Sequence, residues 1–328
     1  MNKILVTGAA GFIGSKVAYE LAKRGDEVVG VDNLNDYYDV CLKEARLKEF
    51  GKGWRFIKMS IDDKEQLDTL FEIEHFDKVV NLAAQAGVRY SITHPYSYMQ
   101  SNLVGFLNIL EACRNFDVKH LVFASSSSVY GMNEKVPYSE EDKVDTPVSL
   151  YAASKKSNEL MAHCYAKLYG IHCVGLRFFT VYGPWGRPDM SPMLFADAIR
   201  DGKPIKVFNN GDMIRDFTYI DDIVEGTIRA IDYELKLDQC PNGVPYQIYN
   251  IGCSHPVKLM DFITELEQAF GKKAEKIFLP MQPGDVYQTN ADTSKLERDM
   301  GYKPHWSLHE GIREFVEWYK NNNDESIK

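Results

Sequence analysis

The feature that most constrains this chain is a glycine-spaced turn held between a strand-like run and a helix-like one. Residues 4–7 are short and apolar, Gly8-Ala9-Ala10-Gly11-Phe12-Ile13-Gly14 follows at once, and residues 12–24 carry helical apolar spacing. Gly8, Gly11 and Gly14 permit a tight reversal and a close approach of backbone to a diphosphate, with Phe12 and Ile13 opening the helix whose N-terminus would face it. The spacing is G-x-x-G-x-x-G, and alone it fits a plain strand–helix turn as well. Its place at the start of a β-α-β unit favours a dinucleotide site.

The same alternation continues. Strand-like runs fall at 27–31, 54–58, 78–82, 121–125 and 173–178, with helix-length segments between them such as 98–115 and 150–169. Near-continuous apolar strands separated by helices predict a parallel sheet covered on both faces, doubly wound by right-handed crossovers. Beyond residue 180 the rhythm turns irregular at Gly183-Pro184-Trp185-Gly186-Arg187-Pro188, which predicts a smaller α/β lobe closing over the strand ends. The expected division is therefore 1–180 for the nucleotide-binding domain and 181–328 for the second lobe, with some of its elements returning to the first.

Composition narrows the class. Hydrophobic residues make up 45% and charged residues 26%, the balance of an ordinary globular protein. The net charge of −9 disfavours a nucleic-acid or anionic-membrane binder, though local arginines can still hold phosphates. No run is apolar for long enough to cross a bilayer, and the N-terminus lacks a leader pattern, so a cytoplasmic protein is expected. Cys41, Cys113, Cys164, Cys173, Cys240 and Cys253 are scattered and read as reduced thiols, mostly packed. His305 and His309 stand four apart without the glutamate of H-E-x-x-H, so no metal site is expected. The polar tail, Asn321 to Lys328, is expected to fray.

Asp32 closes the second strand, where a carboxylate accepts hydrogen bonds from an adenosine ribose and repels a 2′-phosphate; this favours NAD over NADP, with Asn33 assisting. Tyr151 and Lys155 share one face of a predicted helix. The lysine's charge, with that of an oxidised nicotinamide, should lower the phenol toward the range of a general base. Y-x-x-x-K is common on amphipathic helices, and the serines of Ser125-Ser126-Ser127-Ser128 alone are a polar turn. What argues against coincidence is that fingerprint, acid, serines and Tyr/Lys pair follow in the order one active site needs.

With these motifs in place the chain resembles, over nearly its whole length, the extended short-chain dehydrogenases acting on nucleotide sugars, and within them the UDP-glucuronate 4-epimerases. General marks are Gly8 to Gly14, Asn81-Leu82-Ala83-Ala84, Tyr151 with Lys155, and Arg215-Asp216-Phe217-Thr218-Tyr219-Ile220-Asp221-Asp222. More specific marks are Asp32-Asn33-Leu34-Asn35-Asp36-Tyr37-Tyr38-Asp39, Ala86-Gly87-Val88-Arg89-Tyr90-Ser91 and Arg177-Phe178-Phe179-Thr180-Val181-Tyr182-Gly183-Pro184. The resemblance implies a Rossmann-type sheet with a UDP-sugar lobe, NAD as a recycled hydride carrier, Ser126 on the sugar 4-OH and Tyr151 as its base. It implies that Arg89 belongs to the substrate site, Arg215 binds the pyrophosphate and Asp285 the uridine ribose. It also implies a cofactor wall of Leu82, Ala83 and Ala84, a homodimer through the 98–115 and 150–169 helices, and a role in polysaccharide biosynthesis. Two departures stand out: Ser60-Ile61 where relatives commonly carry Asp-Ile at the adenine, and Gln282 where an arginine often precedes Pro-Gly-Asp.

A uronate substrate brings a chemical hazard. Oxidation at C4 beside the C5 carboxylate makes a β-keto acid, which loses CO₂ when the breaking bond aligns with the carbonyl π system, so the carboxylate must be held out of alignment. Ser127, Ser128, Thr180 and Arg187 are the expected holders, each also explicable as an ordinary structural side chain. Dehydratase and decarboxylase relatives typically carry an acid at the position of Ser128, and neutral-sugar epimerases an asparagine at that of Thr180. The alternatives are thus a 4-epimerase of neutral or N-acetylated UDP-hexoses, a UDP-glucuronate decarboxylase, or a silent NAD-binding or redox-sensing protein.

Overall fold

The computed structural model describes residues 1–282 and 284–322. Six strands lie within one residue of their predicted bounds: β1 (Lys3–Thr7), β2 (Glu27–Asp32), β3 (Arg55–Lys58), β4 (Lys78–Asn81), β5 (His120–Ser126) and β6 (His172–Phe178). They pair in parallel in the order β6-β5-β4-β1-β2-β3, and a seventh parallel strand, Tyr246–Ile251, adds beyond β6. That strand comes from the second half of the chain and returns to the first. Helices α1 (Phe12–Lys23), α2 (Val40–Phe50) and α3 (Lys64–Glu74) connect the β1–β4 half, and the Leu150–Tyr169 helix precedes β6. The apolar strand residues split between two buried layers. Ile4, Val6, Val122 and Val174 face one layer; Leu5, Val79, Leu121, Phe123 and Cys173 face the other. This is the doubly wound arrangement the alternation predicted.

The helix predicted over 98–115 is a composite. A turn at Pro95–Tyr98 leads into π-helical backbone over Met99–Val104, and regular α-helix begins at Gly105. Asn102 explains the irregularity: its side chain accepts from Gln85 N–H at 2.7 Å and donates to Gln85 O at 3.1 Å and Ser154 Oγ at 3.0 Å. A wide turn aims that amide inward, which regular spacing would not do.

The second lobe is built of short pairs. Thr180–Tyr182 runs parallel to Phe217–Tyr219, Ile205–Val207 parallel to Lys276–Phe278, and Ile214–Arg215 antiparallel to Val257–Lys258. Asp216 staples it, accepting from the N–H groups of Cys253 at 2.7 Å, Ser254 at 3.0 Å and Ala291 at 3.0 Å. Asp222, fully buried, accepts from the Tyr302 hydroxyl at 2.8 Å and from Trp306 N–H at 3.1 Å. His305 and His309 are exposed and face Asp222 and Glu265. Cys113, Cys173 and Cys240 are buried, Cys253 is half-buried and Cys41 and Cys164 are exposed, so only half of the thiols expected to be packed are fully buried. Asn321 and Asn322 still belong to the last helix; the rest of the expected frayed tail lies outside the described residues. No helix among the described residues is long and apolar enough to cross a membrane.

One buried ion pair ties the sheet to the Leu150–Tyr169 helix. Arg177 on β6 donates to Glu159 through Nε at 2.8 Å and Nη2 at 2.9 Å, and both side chains are buried. Removing one partner strands a charge, so Arg177→Met should cost about 3–5 kcal/mol. The Arg177→Met/Glu159→Met double variant should recover much of that loss, as read by denaturant unfolding.

Candidate active site

The strand order reverses between β1 and β4, and their C-terminal ends meet at one point. There the Thr7 hydroxyl donates to Asn81 Oδ1 at 2.7 Å while accepting from Ala83 N–H at 3.0 Å. Gly8 stands beside them at φ +70°, and a Cβ on it would meet the Ala83 nitrogen at 2.8 Å. A Cβ on Gly14 would lie 2.1 Å from the Gly8 carbonyl oxygen. Helix α1 therefore starts flush against the turn, capped only by Gly11. Gly11, Phe12, Ile13 and Gly14 line a cleft of about 1030 Å³ that runs from this switch point into the second lobe. Every site residue expected from the sequence, from Gly8 to Asp285, lines this one cleft.

On the β2 side, Asp32 accepts from Ala10 N–H at 3.2 Å and Leu34 N–H at 2.8 Å, which fixes its carboxylate at the rim. Lys43, missed by sequence reasoning, is buried 3.7 Å from that carboxylate and donates to Asn35 Oδ1 at 2.8 Å. Asn33 stands 3.4 Å from the Ser60 hydroxyl, and Ser60, Ile61, Leu82, Ala83 and Ala84 complete this wall. A bare helix N-terminus, a fixed ribose-distance acid and a wall of small apolar residues fit NAD.

Deeper in, Ser126 ends β5 and caps the turn Ser127–Tyr130, accepting from Ser128 N–H at 3.2 Å and from the Ser128 hydroxyl at 2.9 Å. Lys155 is buried with Nζ donating to the Ala124 carbonyl at 2.8 Å, and burial lowers it to about 8. Burial raises the Tyr151 phenol above the ordinary value; a hydrogen bond with Ser126 and the Arg187 charge oppose this, and Asp189 adds to it. Lys155 is not among the groups that shift it. In the protein alone, burial is the largest influence on the phenol.

Toward the second lobe, Arg215 donates to the carbonyls of Tyr287 at 2.9 Å and Val286 at 2.5 Å, which shapes the segment carrying Asp285. Arg89 bridges to Asp285 at 3.1 Å across the cleft mouth. Among the described residues, Gln282 does not line the cleft, and its side-chain oxygen is buried without a hydrogen-bond partner. Thr180 begins the strand paired with Phe217–Tyr219, and Arg187 follows the turn in which Trp185 takes φ +66°. Sequence reasoning also missed Asp189 and Tyr37. Tyr37 lay inside a quoted motif, but its partner is 152 residues away and no local spacing announces it.

A dinucleotide cleft opening onto a Ser/Tyr/Lys set on a doubly wound sheet defines the class, and the comparisons agree. Residues 4–252 match the NAD dependent epimerase/dehydratase family, and the chain belongs to that family. A probable UDP-glucuronate 4-epimerase of Rhizobium meliloti is 46% identical over 98% of this chain and 97% of its own. The UDP-glucuronic acid 4-epimerase of Bacillus cereus, solved with UDP-glucuronic acid and NAD, superposes with a TM-score of 0.87 at 36% identity, covering 97% of this chain and 99% of that one. The UDP-glucose 4-epimerase of Thermotoga maritima, solved with UDP-glucose, gives 0.88 at 30% identity over 97% and 99%.

Lys155 supplies a test of the site's cost to the fold. A lysine held near 8 when folded and near 10.5 when unfolded destabilises in full below about pH 8, and the penalty fades as pH rises toward 10.5. Lys155→Met should therefore gain about 2–3 kcal/mol of ligand-free stability at pH 7. The gain should shrink toward pH 10, as followed by denaturant unfolding across that range.

Proposed function

We propose that this protein interconverts UDP-glucuronate and UDP-galacturonate by NAD-dependent 4-epimerisation through a transient 4-keto sugar. The observation that carries this reading is the lining of the sugar end of the cleft. Beside Ser126 and Tyr151 it presents the hydroxyls of Ser127, Ser128 and Thr180 and the guanidinium of Arg187, and at position 128 a serine replaces an acid. The identities of 46% and 36% to the two uronate epimerases, against 30% to the glucose enzyme, support it. The TM-scores do not discriminate, because all share one fold.

The residues divide the work. Ser126, held by Ser128, positions the 4-oxygen, and Tyr151 takes the 4-OH proton and later returns it. NAD, when bound, would supply a reversible hydride acceptor for C4 and a positive charge near Tyr151. Lys155 is placed to anchor the nicotinamide ribose. Gly8, Gly11, Phe12, Ile13, Gly14, Asp32, Asn33, Ser60, Ile61 and the Leu82–Ala84 wall hold the cofactor; Arg215, Arg89 and Asp285 hold the uridine diphosphate. Ser127, Ser128 and Thr180 restrain the carboxylate during the keto stage. On this reading residues 1–180 carry cofactor and chemistry, and 181–328 mainly the UDP-sugar. The enzyme serves polysaccharide biosynthesis in the cytoplasm as a homodimer. For the dimer, Met99, Val104 and Leu107 stand exposed on one helical stretch and Leu160 and Leu168 on the Leu150–Tyr169 helix. Light scattering should give twice the chain mass, and Leu160→Glu/Leu168→Glu should halve it.

Purified protein given UDP-glucuronate and catalytic NAD⁺ should form UDP-galacturonate with no net NADH, as identified by NMR. Tyr151→Phe should lower turnover by about 10²–10⁴-fold. Thr180→Asn should weaken uronate turnover while the melting temperature holds; a pentose product from the parent enzyme would overturn the reading.

A further inference from the structure

Two residues past Arg187 the cleft carries a carboxylate that the catalytic scheme does not use. Asp189 receives Arg187 from two directions, Nε donating to Oδ1 at 3.0 Å and Nη2 to Oδ2 at 2.5 Å. The Tyr37 phenol donates to the same Oδ2 at 2.9 Å. All three side chains line the cleft. The pairing keeps both ions charged. Burial alone would raise the Asp189 carboxyl, but Arg187 and Tyr37 hold it below its ordinary value; burial alone would lower the Arg187 guanidinium, but Asp189 holds it above.

We infer that Asp189, steadied by Tyr37, is a positioning residue that sets how the enzyme partitions its keto intermediate between epimerisation and loss of CO₂; this rests on the function proposed above. Two consequences of the geometry lead there. First, a guanidinium grips a carboxylate through its fork, and Asp189 already occupies the Nε/Nη2 edge of that fork. Arg187 thereby loses its side-on two-point grip on a substrate carboxylate and keeps only its Nη1/Nη2 edge. Second, Arg187 and Asp189 act on the Tyr151 phenol in opposite directions, so their fields offset each other where the sugar O4 must sit.

Decarboxylation of the 4-keto uronate breaks the C5–C6 bond. Its electron pair becomes the C4–C5 π bond, negative charge moves to O4, and CO₂ departs. A proton is then taken up at C5, and the hydride removed from C4 in the first step returns, giving the UDP-pentose and restoring NAD⁺. A cation without its counter-charge near O4 stabilises that enolate. Asp189 cancels the cation, and so keeps the enolate uphill while leaving the arginine in the pocket.

The test uses holoenzyme with UDP-glucuronate, and follows UDP-pentose, CO₂ and UDP-galacturonate by NMR across pH. Asp189→Asn should raise the pentose-to-galacturonate ratio by about tenfold. It should also shift the acid limb of the kcat profile about one pH unit lower, because removing a negative charge lowers the base's pKa. Tyr37→Phe, which removes one hydrogen bond and no charge, should move both readouts the same way by less. It also keeps the test open if Asp189→Asn fails to fold. An unchanged ratio and an unchanged acid limb in the folded variants would reduce Asp189 to a loop fastener and overturn the inference. If the parent turns over a neutral UDP-hexose and not UDP-glucuronate, the proposed substrate fails; the acid limb measured with that hexose then decides the role of Asp189 by itself.

Discussion

The interaction on which the rest of this structure depends is the buried pair between Arg177 and Glu159. Tyr151, Lys155 and Glu159 stand at intervals of four on one helix, so they share a face, and Glu159 is the member that grips the sheet. Its Oε1 accepts from the Ser125 hydroxyl at 2.7 Å as well as from Arg177, which brings β5 and β6 together on one carboxylate. Arg177 in turn donates to the Tyr130 phenol at 3.0 Å, and that phenol donates to Asn250 on the seventh strand at 2.7 Å. A pair of well-packed apolar residues would serve stability about as well. What an apolar pair lacks is direction: the charged network accepts only one rotation and height of the helix, and those place Tyr151 beside Ser126.

The chemistry draws on the same rigidity at a cost in stability. Lys155 sits in a site that would rather be neutral; burial lowers it to about 8 while its Nζ donates to the Ala124 carbonyl. Tyr151 is pushed by burial the wrong way for a base. A bound cationic nicotinamide would lower the Tyr151 phenol, opposing the effect of burial. On a chain of net charge −9, Arg89, Arg187, Arg215 and Lys43 are gathered along one cleft, each beside a carboxylate or carbonyl that fixes its aim.

How much of this was legible in the sequence follows from the range of each interaction. The six strands and the Gly8–Gly14 turn were readable because apolar period and turn chemistry are local. The cleft lining was readable because motifs travel as short blocks. The seventh strand, Tyr246–Ile251, was not placed, since its partner β6 lies some seventy residues upstream and pairing across such a gap leaves no mark in either segment. The π-helical stretch was hidden for a related reason: Asn102 looks like any polar residue on an amphipathic helix until its partner Gln85 is in view. Spacing alone did not reveal that burial pushes the phenol up in the protein without its cofactor.

A uronate and a glucose epimerase superpose on this chain about equally well, so the overall fold does not separate their substrates. Two segments complete the cleft wall beside Ser127, Ser128 and Thr180, the strap after β2 and the turn before Asp189. These are joined twice. Tyr37 reaches Asp189, and Arg46 on α2, fully buried, donates to the carbonyls of Trp185 at 2.8 Å and Gly186 at 3.2 Å, and to that of Ala10 in the glycine turn at 3.3 Å. A guanidinium with carbonyls and the Tyr38 hydroxyl as its acceptors holds its charge against burial only while all of them stay in place. The turn that cradles a diphosphate and the turn that presents Arg187 are therefore set by one side chain. A change in either is felt by the other, which explains how a cofactor site common to the whole fold can be coupled to a sugar pocket peculiar to one branch of it.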